Sequence, residues 1–287
     1  MTLVRWAVLG VGNAGRARAR AIVADPRARL VALHRGRFAS SVGDELGVPV
    51  LSAAASIDAA DAVAICGPNE VHVRQARSVL DAGRHALVEF PLASTRREAE
   101  DLFQRARSVG RVLHVEHIEI LSGSTRALLG AGTLLAGEME HAVLREREVP
   151  KSELVALLVP RLHRLRALLG PLIGWEDRAR GPGWLEVTVT LRDGAIRLRL
   201  CAGPGLQRMT HLRLMTSNGL WEMHNRTAFH DGAPLALPAG PGLFVADQLV
   251  ATSRIIDAGG HYVSNEQILS VLLIAEEIAG EEGLTLS

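Results

Sequence analysis

Along the first 118 residues, short apolar runs alternate with longer segments whose apolar positions recur at helical spacing. The run V-R-W-A-V-L over residues 4–9 ends in a glycine cluster, residues 15–24 read as a helix, and residues 30–33 form a second apolar run. The same alternation predicts strands near residues 62–66, 85–89 and 112–115. It predicts helices near residues 71–82 and 96–109, ended by Gly83 and Gly110. Strands interleaved with helices of this length pair in parallel through right-handed crossovers, so an α/β doubly wound parallel sheet is expected.

Past Ile118 the pattern changes. A helical stretch to about residue 129 is followed by strand-like runs at 140–149, 184–191, 195–201, 211–216 and 220–224, separated by Gly, Pro, Asp and Asn. Asp193-Gly194 is a hairpin signal between two of them. A last helix over about 265–280 places Ile268, Val271, Leu272, Ala275 and Ile278 on one face. The expected organisation is therefore a nucleotide-binding domain over residues 1–118. An α+β domain over 119–287 follows it, with a mainly antiparallel sheet and the C-terminal helix.

Composition narrows the function classes. With 32 basic against 31 acidic residues, the net charge of +1 supplies no field that argues for nucleic acid or an anionic membrane as partner. The apolar runs fall short of the roughly 20 residues needed for a membrane span, and no signal segment is expected. Two cysteines, Cys66 and Cys201, cannot build a disulfide framework, which fits a reducing cytoplasm. Of the 32 basic residues only Lys151 is a lysine, so chemistry that needs a lysine has one candidate.

Gly10-Val11-Gly12-Asn13-Ala14-Gly15 is G-x-G-x-x-G after a strand and at the start of a helix, the dinucleotide fingerprint of a Rossmann domain. Gly10 permits the turn, Gly12 the approach of a pyrophosphate, and Gly15 close packing of helix on strand, with the anion over free helix N–H groups. The end of the second strand reads His34-Arg35-Gly36-Arg37, with no carboxylate to bond a ribose and two guanidiniums suited to a 2′-phosphate. NADPH is therefore expected as cofactor, with NADH as the alternative. The turns Gly67-Pro68-Asn69, with His72 after it, and Glu89-Phe90-Pro91 follow later strands and should line the nicotinamide end.

These motifs and the antiparallel second half resemble the glucose-fructose and inositol dehydrogenase group of oxidoreductases. Where that group has Glu-Lys-Pro, this chain has Glu89-Phe90-Pro91, without the lysine that assists proton transfer at a sugar hydroxyl. The helix that would carry the group's catalytic histidine and aspartate, residues 160–170, contains His163 but no acid. The departures resemble the biliverdin reductases instead. Residues 85–93 are similar to that family's turn, where tyrosine commonly stands at the position of Phe90. V-L-H-V-E-H-I-E-I-L over residues 112–121 is similar to its His-Glu-Glu-His-Val-Glu-Leu-Leu segment, and residues 203–208 and 268–278 match as well.

The resemblance implies NADPH-dependent hydride transfer to the central methine carbon of a linear tetrapyrrole, biliverdin to bilirubin. It implies Arg161 and Glu116 as catalytic candidates, and Phe90, His117, Glu119, Arg161 and Arg164 as substrate-binding candidates. Arg161 or Arg164 would meet a propionate or the lactam end, Arg161 more as an electrostatic partner than as an acid. Glu116 and Glu119 are equally readable as carboxylates bonded to backbone N–H groups. The alternatives are a reductase of another planar conjugated substrate and a nucleotide-sensing regulator without turnover, as in the yeast galactose regulator of this superfamily. No metal site is expected, since His114 and His117 are three apart at a strand end without a cysteine partner. The pattern carries no reading of oligomeric state.

Overall fold

The computed structural model describes residues 3–280. Contacts divide the described residues into two compact units: those up to Ile118 with Pro241–Asn265, and Glu119–Gly240 with those from Glu266 onward. The second domain expected over 119–287 is thus interrupted, because residues 241–265 return to the first unit. Residues 281–287 of that expected domain lie outside the described residues.

The first unit runs β1 (Val4–Leu9), α1 (Asn13–Ala24), β2 (Ala28–His34), α2 (Ala39–Leu46), α3 (Ala53–Ala59), β3 (Ala62–Ile65), α4 (His72–Asp81), β4 (His85–Val88), α5 (Arg96–Ser108) and β5 (Leu113–Val115). Its five strands are parallel in the order β2-β1-β3-β4-β5. The order reverses direction at β1, which is where a doubly wound sheet gathers its ligand. Continuous apolar strands make both faces of the sheet core: Trp6, Val8, Val63, Ile65, Leu87 and Val88 are all fully buried. Each such side chain contributes about 1.5–3 kcal/mol relative to exposure. Helix α5 begins in a capping box, Thr95 with Glu98, and its buried stripe Ala99, Leu102, Phe103 and Ala106 keeps helical spacing.

The second unit contains α6 (Gly123–Ala127), β6 (Leu134–Leu144), α7 (Lys151–Leu169), β7 (Leu172–Gly181), β8 (Trp184–Leu191), β9 (Gly194–Gly203), β10 (Met209–Thr216), β11 (Gly219–His224), β12 (Thr227–His230) and β13 (Ala233–Pro234). Helix α8 (Leu243–Ile256) belongs to the first unit, where it packs on α1, and α9 (Asn265–Ala279) closes the described chain. The eight strands are ordered β13-β12-β11-β10-β6-β9-β8-β7. All neighbours are antiparallel except β6 and β9, whose parallel pairing makes the sheet mixed. The Asp193-Gly194 signal marks the β8–β9 hairpin, with Leu191 opposite Gly194.

Several elements lay outside the sequence reading, namely α2, α3, β7, β12, β13 and α8. The strand expected over 140–149 runs 134–144 instead, where its pairing with β10 and β9 includes Gly137. The helix expected up to about 129 is reduced to the five residues of α6.

Candidate active site

The fingerprint loop joins β1 to α1 with the geometry its glycines permit. Gly10 has φ +92°, and a Cβ there would sit 2.5 Å from the backbone N of Gly67. A Cβ on Gly15 would fall 2.1 Å from the Gly10 carbonyl oxygen. The turns after β1 and β3 are therefore packed backbone to backbone, which no other residue allows. At Gly12, by contrast, a Cβ would meet nothing within 4 Å. That open space precedes the unpaired N–H groups of α1, so the chain offers a cradle for a pyrophosphate.

Beside the cradle, Asn13 and the half-buried Ala14 open α1, and His34 closes β2 with its Nδ1 2.9 Å from the Leu51 carbonyl oxygen. Arg35 and Arg37 are exposed. Arg37 reaches Asn13 Oδ1 at 3.4 Å and lies over the Phe38 ring at 4.5 Å, and Arg16 lies over the same ring at 4.4 Å. The exposed cations flank the adenosine end of the cradle, and the neighbouring positions contain no acid. The residues present thus fit an NADP-type nucleotide.

The two turns expected to line the nicotinamide end are fastened to each other by His72. Its Nδ1 is 2.7 Å from the Pro91 carbonyl oxygen and its Nε2 3.0 Å from that of Gly67. The expectation that His72 binds cofactor is corrected accordingly: a fully buried ring with both nitrogens facing backbone carbonyls positions the turns rather than a ligand. Pro68 is exposed and Asn69 half-buried.

Glu89 is corrected likewise, because its carboxylate turns inward. Arg18, fully buried, donates from Nε and Nη2 to Glu89 Oε1 at 3.2 and 3.0 Å and lies 2.7 Å from Asp247 Oδ2. Asp247 Oδ1 in turn accepts from the Tyr262 hydroxyl at 2.6 Å and faces His114 Nε2 at 2.8 Å. The Tyr262 oxygen accepts the backbone N–H of His117 at 2.8 Å. Burial would raise the Asp247 carboxyl, but the Arg18 guanidinium and His114 hold it well below the usual carboxylate range. Burial pushes the Tyr262 phenol up, aided by Asp247, so it remains a donor.

Glu116 sits in the same buried network. Its Oε1 accepts from Ile118 N at 2.9 Å and its Oε2 from Phe90 N at 3.4 Å, the backbone role that the sequence left open. Burial first, then the carboxylates of Glu89 and Asp247, push its pKa well above the ordinary value. Phe90 is half-buried, with its ring centroid 5.3 Å from that of His117.

In the second unit, Glu119 is the shared partner of two arginines on α7. Arg161 Nη2 lies 3.1 Å from Glu119 Oε1, and Arg164 Nη2 lies 3.2 Å from Oε2. Both arginines are buried, at 6% and 7% exposure, and their guanidiniums converge on the Glu119 carboxylate. Burial lowers Arg161 to about 10, against the pull of Glu119 and with the repulsion of Arg164 and Arg208. It stays protonated near neutrality. Arg161 Nη2 also lies 3.4 Å from His141 Nδ1, which in turn faces Thr210 Oγ1 at 2.8 Å.

Arg18, Asp247 and Tyr262 were not among the sequence-derived candidates. The signal for Arg18 was local: it stands at i+3 from Gly15 and four before Ile22, on the buried stripe of α1. Asp247 offered less, since only the return of α8 to the first unit brings it there.

Comparisons with known proteins bear on the family and the fold. Residues 4–117 match the family described as an oxidoreductase family with an NAD-binding Rossmann fold. Mouse biliverdin reductase A is 28% identical over 234 residues, 75% of this chain and 77% of that enzyme. The crystal structure of biliverdin reductase from Synechocystis sp. PCC 6803, in complex with biliverdin and NADP+, superposes with a TM-score of 0.83 at 23% identity, covering 96% of this chain and 98% of that one. The UDP-N-acetylglucosamine 3-dehydrogenase of Acidithiobacillus ferrooxidans superposes with a TM-score of 0.82 at 21% identity, covering 97% of both chains. At these identities the structural likeness speaks for the fold, an α/β doubly wound domain with a second domain whose sheet is mainly antiparallel, as read from the sequence.

Proposed function

From the premise that this chain is an NAD(P)-dependent oxidoreductase with an NAD-binding Rossmann domain, we propose that it uses NADPH to reduce biliverdin to bilirubin. The observation that carries this reading is the turn at Phe90. A half-buried aromatic ring beside His117 occupies the place where a sugar dehydrogenase needs an ammonium, and the only lysine, Lys151, begins α7. A flat, conjugated, largely apolar acceptor suits an aromatic wall and needs no lysine. The likeness to mouse biliverdin reductase A over 77% of its length supports the same reading.

When bound, NADPH supplies the hydride that goes to the central methine carbon of the pigment. The neighbouring pyrrole nitrogen gains a proton, and the chain's part is to hold the cofactor, bound the acceptor and supply that proton. Gly10, Gly12, Asn13, Ala14 and Gly15 hold the pyrophosphate, and Arg35 and Arg37, next to His34, meet the 2′-phosphate. Gly67, Pro68 and Asn69 border the nicotinamide, and Phe90 and His117 bound the acceptor. Glu116, whose carboxyl is pushed up by burial and by the neighbouring carboxylates, is the proton source in this proposal. Around Glu119 two buried guanidiniums face one carboxylate, with Arg208 adding to the field, so the cluster carries excess positive charge for a propionate. Arg161 and Arg164 act there as electrostatic partners. A cytoplasmic setting belongs to the same proposal.

The test is direct: purified protein, NADPH and biliverdin are mixed and the absorbance is followed. Loss of the green chromophore with appearance of a yellow product, matched to NADPH oxidised, is the expected result. Intact NADPH binding with no colour change would sink the assignment, and NADPH oxidation by another conjugated acceptor would redirect it to that substrate. Nucleotide binding with no turnover on any acceptor would favour a sensing role.

A further inference from the structure

On the second unit's sheet, on the face opposite its buried side chains, β10 and β11 bring two imidazoles and a carboxylate together. His211 stands directly opposite His224 in the antiparallel register, and Arg213 opposite Glu222. With a side-chain period of two, His211, His224 and Glu222 share one face, while Leu212, Leu214 and Met223 point to the buried face. The two rings are stacked with centroids 4.1 Å apart and planes 26° from parallel. One ligand atom from each of the three residues lies within 4.8 Å of the other two.

We propose that His211, Glu222 and His224 form a binding site for a divalent transition metal, with Zn2+ the ion the donor set suits best.

Two observations carry this beyond mere proximity. His211 Nε2 is shielded from solvent and has no hydrogen-bond partner among the described residues. Its nearest carboxylate oxygen, Glu222 Oε1, is 3.9 Å away. That is too long for a hydrogen bond but within the reach of two ligands that each bind one ion at about 2.0–2.2 Å. A buried nitrogen lone pair left unmatched costs free energy, and an ion shared with Glu222 removes that cost. His224 is exposed, and its ligand nitrogen already lies within 4.8 Å of the ligand atoms of His211 and Glu222. Arg213 Nε lies 3.1 Å from Glu222 Oε1 and competes for it, yet Arg213 also holds Glu138 Oε1 at 3.1 Å through Nη1. Glu222 can therefore turn an oxygen to the ion without stranding Arg213.

Two histidines and one carboxylate are borderline N/O donors, which favours Zn2+ or its neighbours over Mg2+ or Ca2+. Three protein ligands leave the fourth tetrahedral position to water. Because the ligands come from both strands, the bound ion would tie β10 to β11 and so brace the outer strands β11, β12 and β13 of the sheet.

The experiment uses full-length, tag-free, metal-depleted protein in a non-chelating buffer, titrated calorimetrically with ZnCl2 and, separately, with Co2+ read by its visible d–d bands. One equivalent per chain is expected, with the band intensity of four-coordinate Co2+ and a higher melting temperature with Zn2+. His211→Ala and His224→Ala should each abolish uptake, and Glu222→Gln should weaken it roughly tenfold or more. His261→Asn, in the first unit, where the His261 ring stacks on that of His114 with centroids 4.3 Å apart, should leave it unchanged. His224→Gln, altering an exposed side chain, serves if the alanine variants fold poorly. No uptake at a tenfold metal excess overturns the proposal, as does uptake that persists in the His211→Ala/His224→Ala double variant.

Discussion

Arg18 on α1 and Asp247 on α8 form an ion pair at 2.7 Å in which neither side chain has any solvent exposure. The pair connects the fingerprint helix to a helix that enters the first unit only after the chain has built the second unit's sheet. Two charges out of water are costly unless each is fully partnered. Here the guanidinium also holds Glu89, and the carboxylate also holds Tyr262 and His114.

Asp247→Asn should destabilise the protein by about 3 kcal/mol or more, because it leaves Arg18 with one carboxyl partner, Glu89, whose pKa burial pushes up. Arg18→Met should cost more, since it strands two carboxylates. Urea unfolding midpoints for the two variants check both the size and the order.

Replacing Arg35 and Arg37 by alanine should weaken NADPH binding roughly tenfold and leave NADH binding unchanged, since only the 2′-phosphate distinguishes the two nucleotides. Fluorescence titration of both reduced nucleotides provides the measurement. Equal losses for both would remove the phosphate from the neighbourhood of these arginines.

Arg161→Ala leaves Glu119 to Arg164 alone and removes one positive charge from the cluster. Turnover with biliverdin should fall by roughly tenfold or more while NADPH affinity stays within about twofold. Parallel losses in the two would place Arg161 in the scaffold rather than at the substrate.

The buried histidines make stability depend on pH in a defined direction. Burial lowers His163 to about 3, helped by Arg166, and lowers His85 to about 4, helped by Arg111. Between pH 6.5 and those values the unfolded chain takes up protons that the folded chain refuses, so stability falls as the pH falls. The slope approaches about 1.4 kcal/mol per pH unit for each histidine. Glu116, raised in the folded state, contributes in the opposite sense: the folded chain keeps its proton to higher pH than the unfolded chain does, so this term weakens as pH rises. Comparing urea unfolding at pH 7 and pH 5 in parent and His163→Met isolates one contribution. The variant should lose less stability over that interval.

Phe90→Tyr adds a phenolic hydroxyl to the ring, and Phe90→Ala removes the aromatic wall. If the wall is what the turn supplies, the tyrosine variant should keep KM for biliverdin within about threefold, and the alanine variant should raise it about tenfold. Steady-state kinetics on the two variants separates ring from hydroxyl.

Apart from α2 and α3, the strands and helices of the first 118 residues were readable because each announces itself within a dozen positions. Apolar runs, helical periodicity and terminal glycines report local backbone geometry, and G-x-G-x-x-G fixes both a turn and a ligand. Phe90 in place of lysine was readable for the same reason, as one residue in a short motif. His72 and Glu89 were misassigned because a motif locates a residue along the chain but not the direction of its side chain. One turns to two carbonyls and the other to Arg18.

By itself the sequence determined the doubly wound domain, its phosphate cradle, the hairpin at Asp193-Gly194 and the absence of a lysine at the turn after β4. Tertiary structure alone decided that residues 241–265 rejoin the first unit, that β6 lies parallel to β9, and that Glu119 is shared by Arg161 and Arg164. The division has a physical cause. Propensity and periodicity act over a few bonds, whereas the pairing of buried charges depends on which distant segments the topology brings within 3 Å, and nothing in a local pattern encodes that distance.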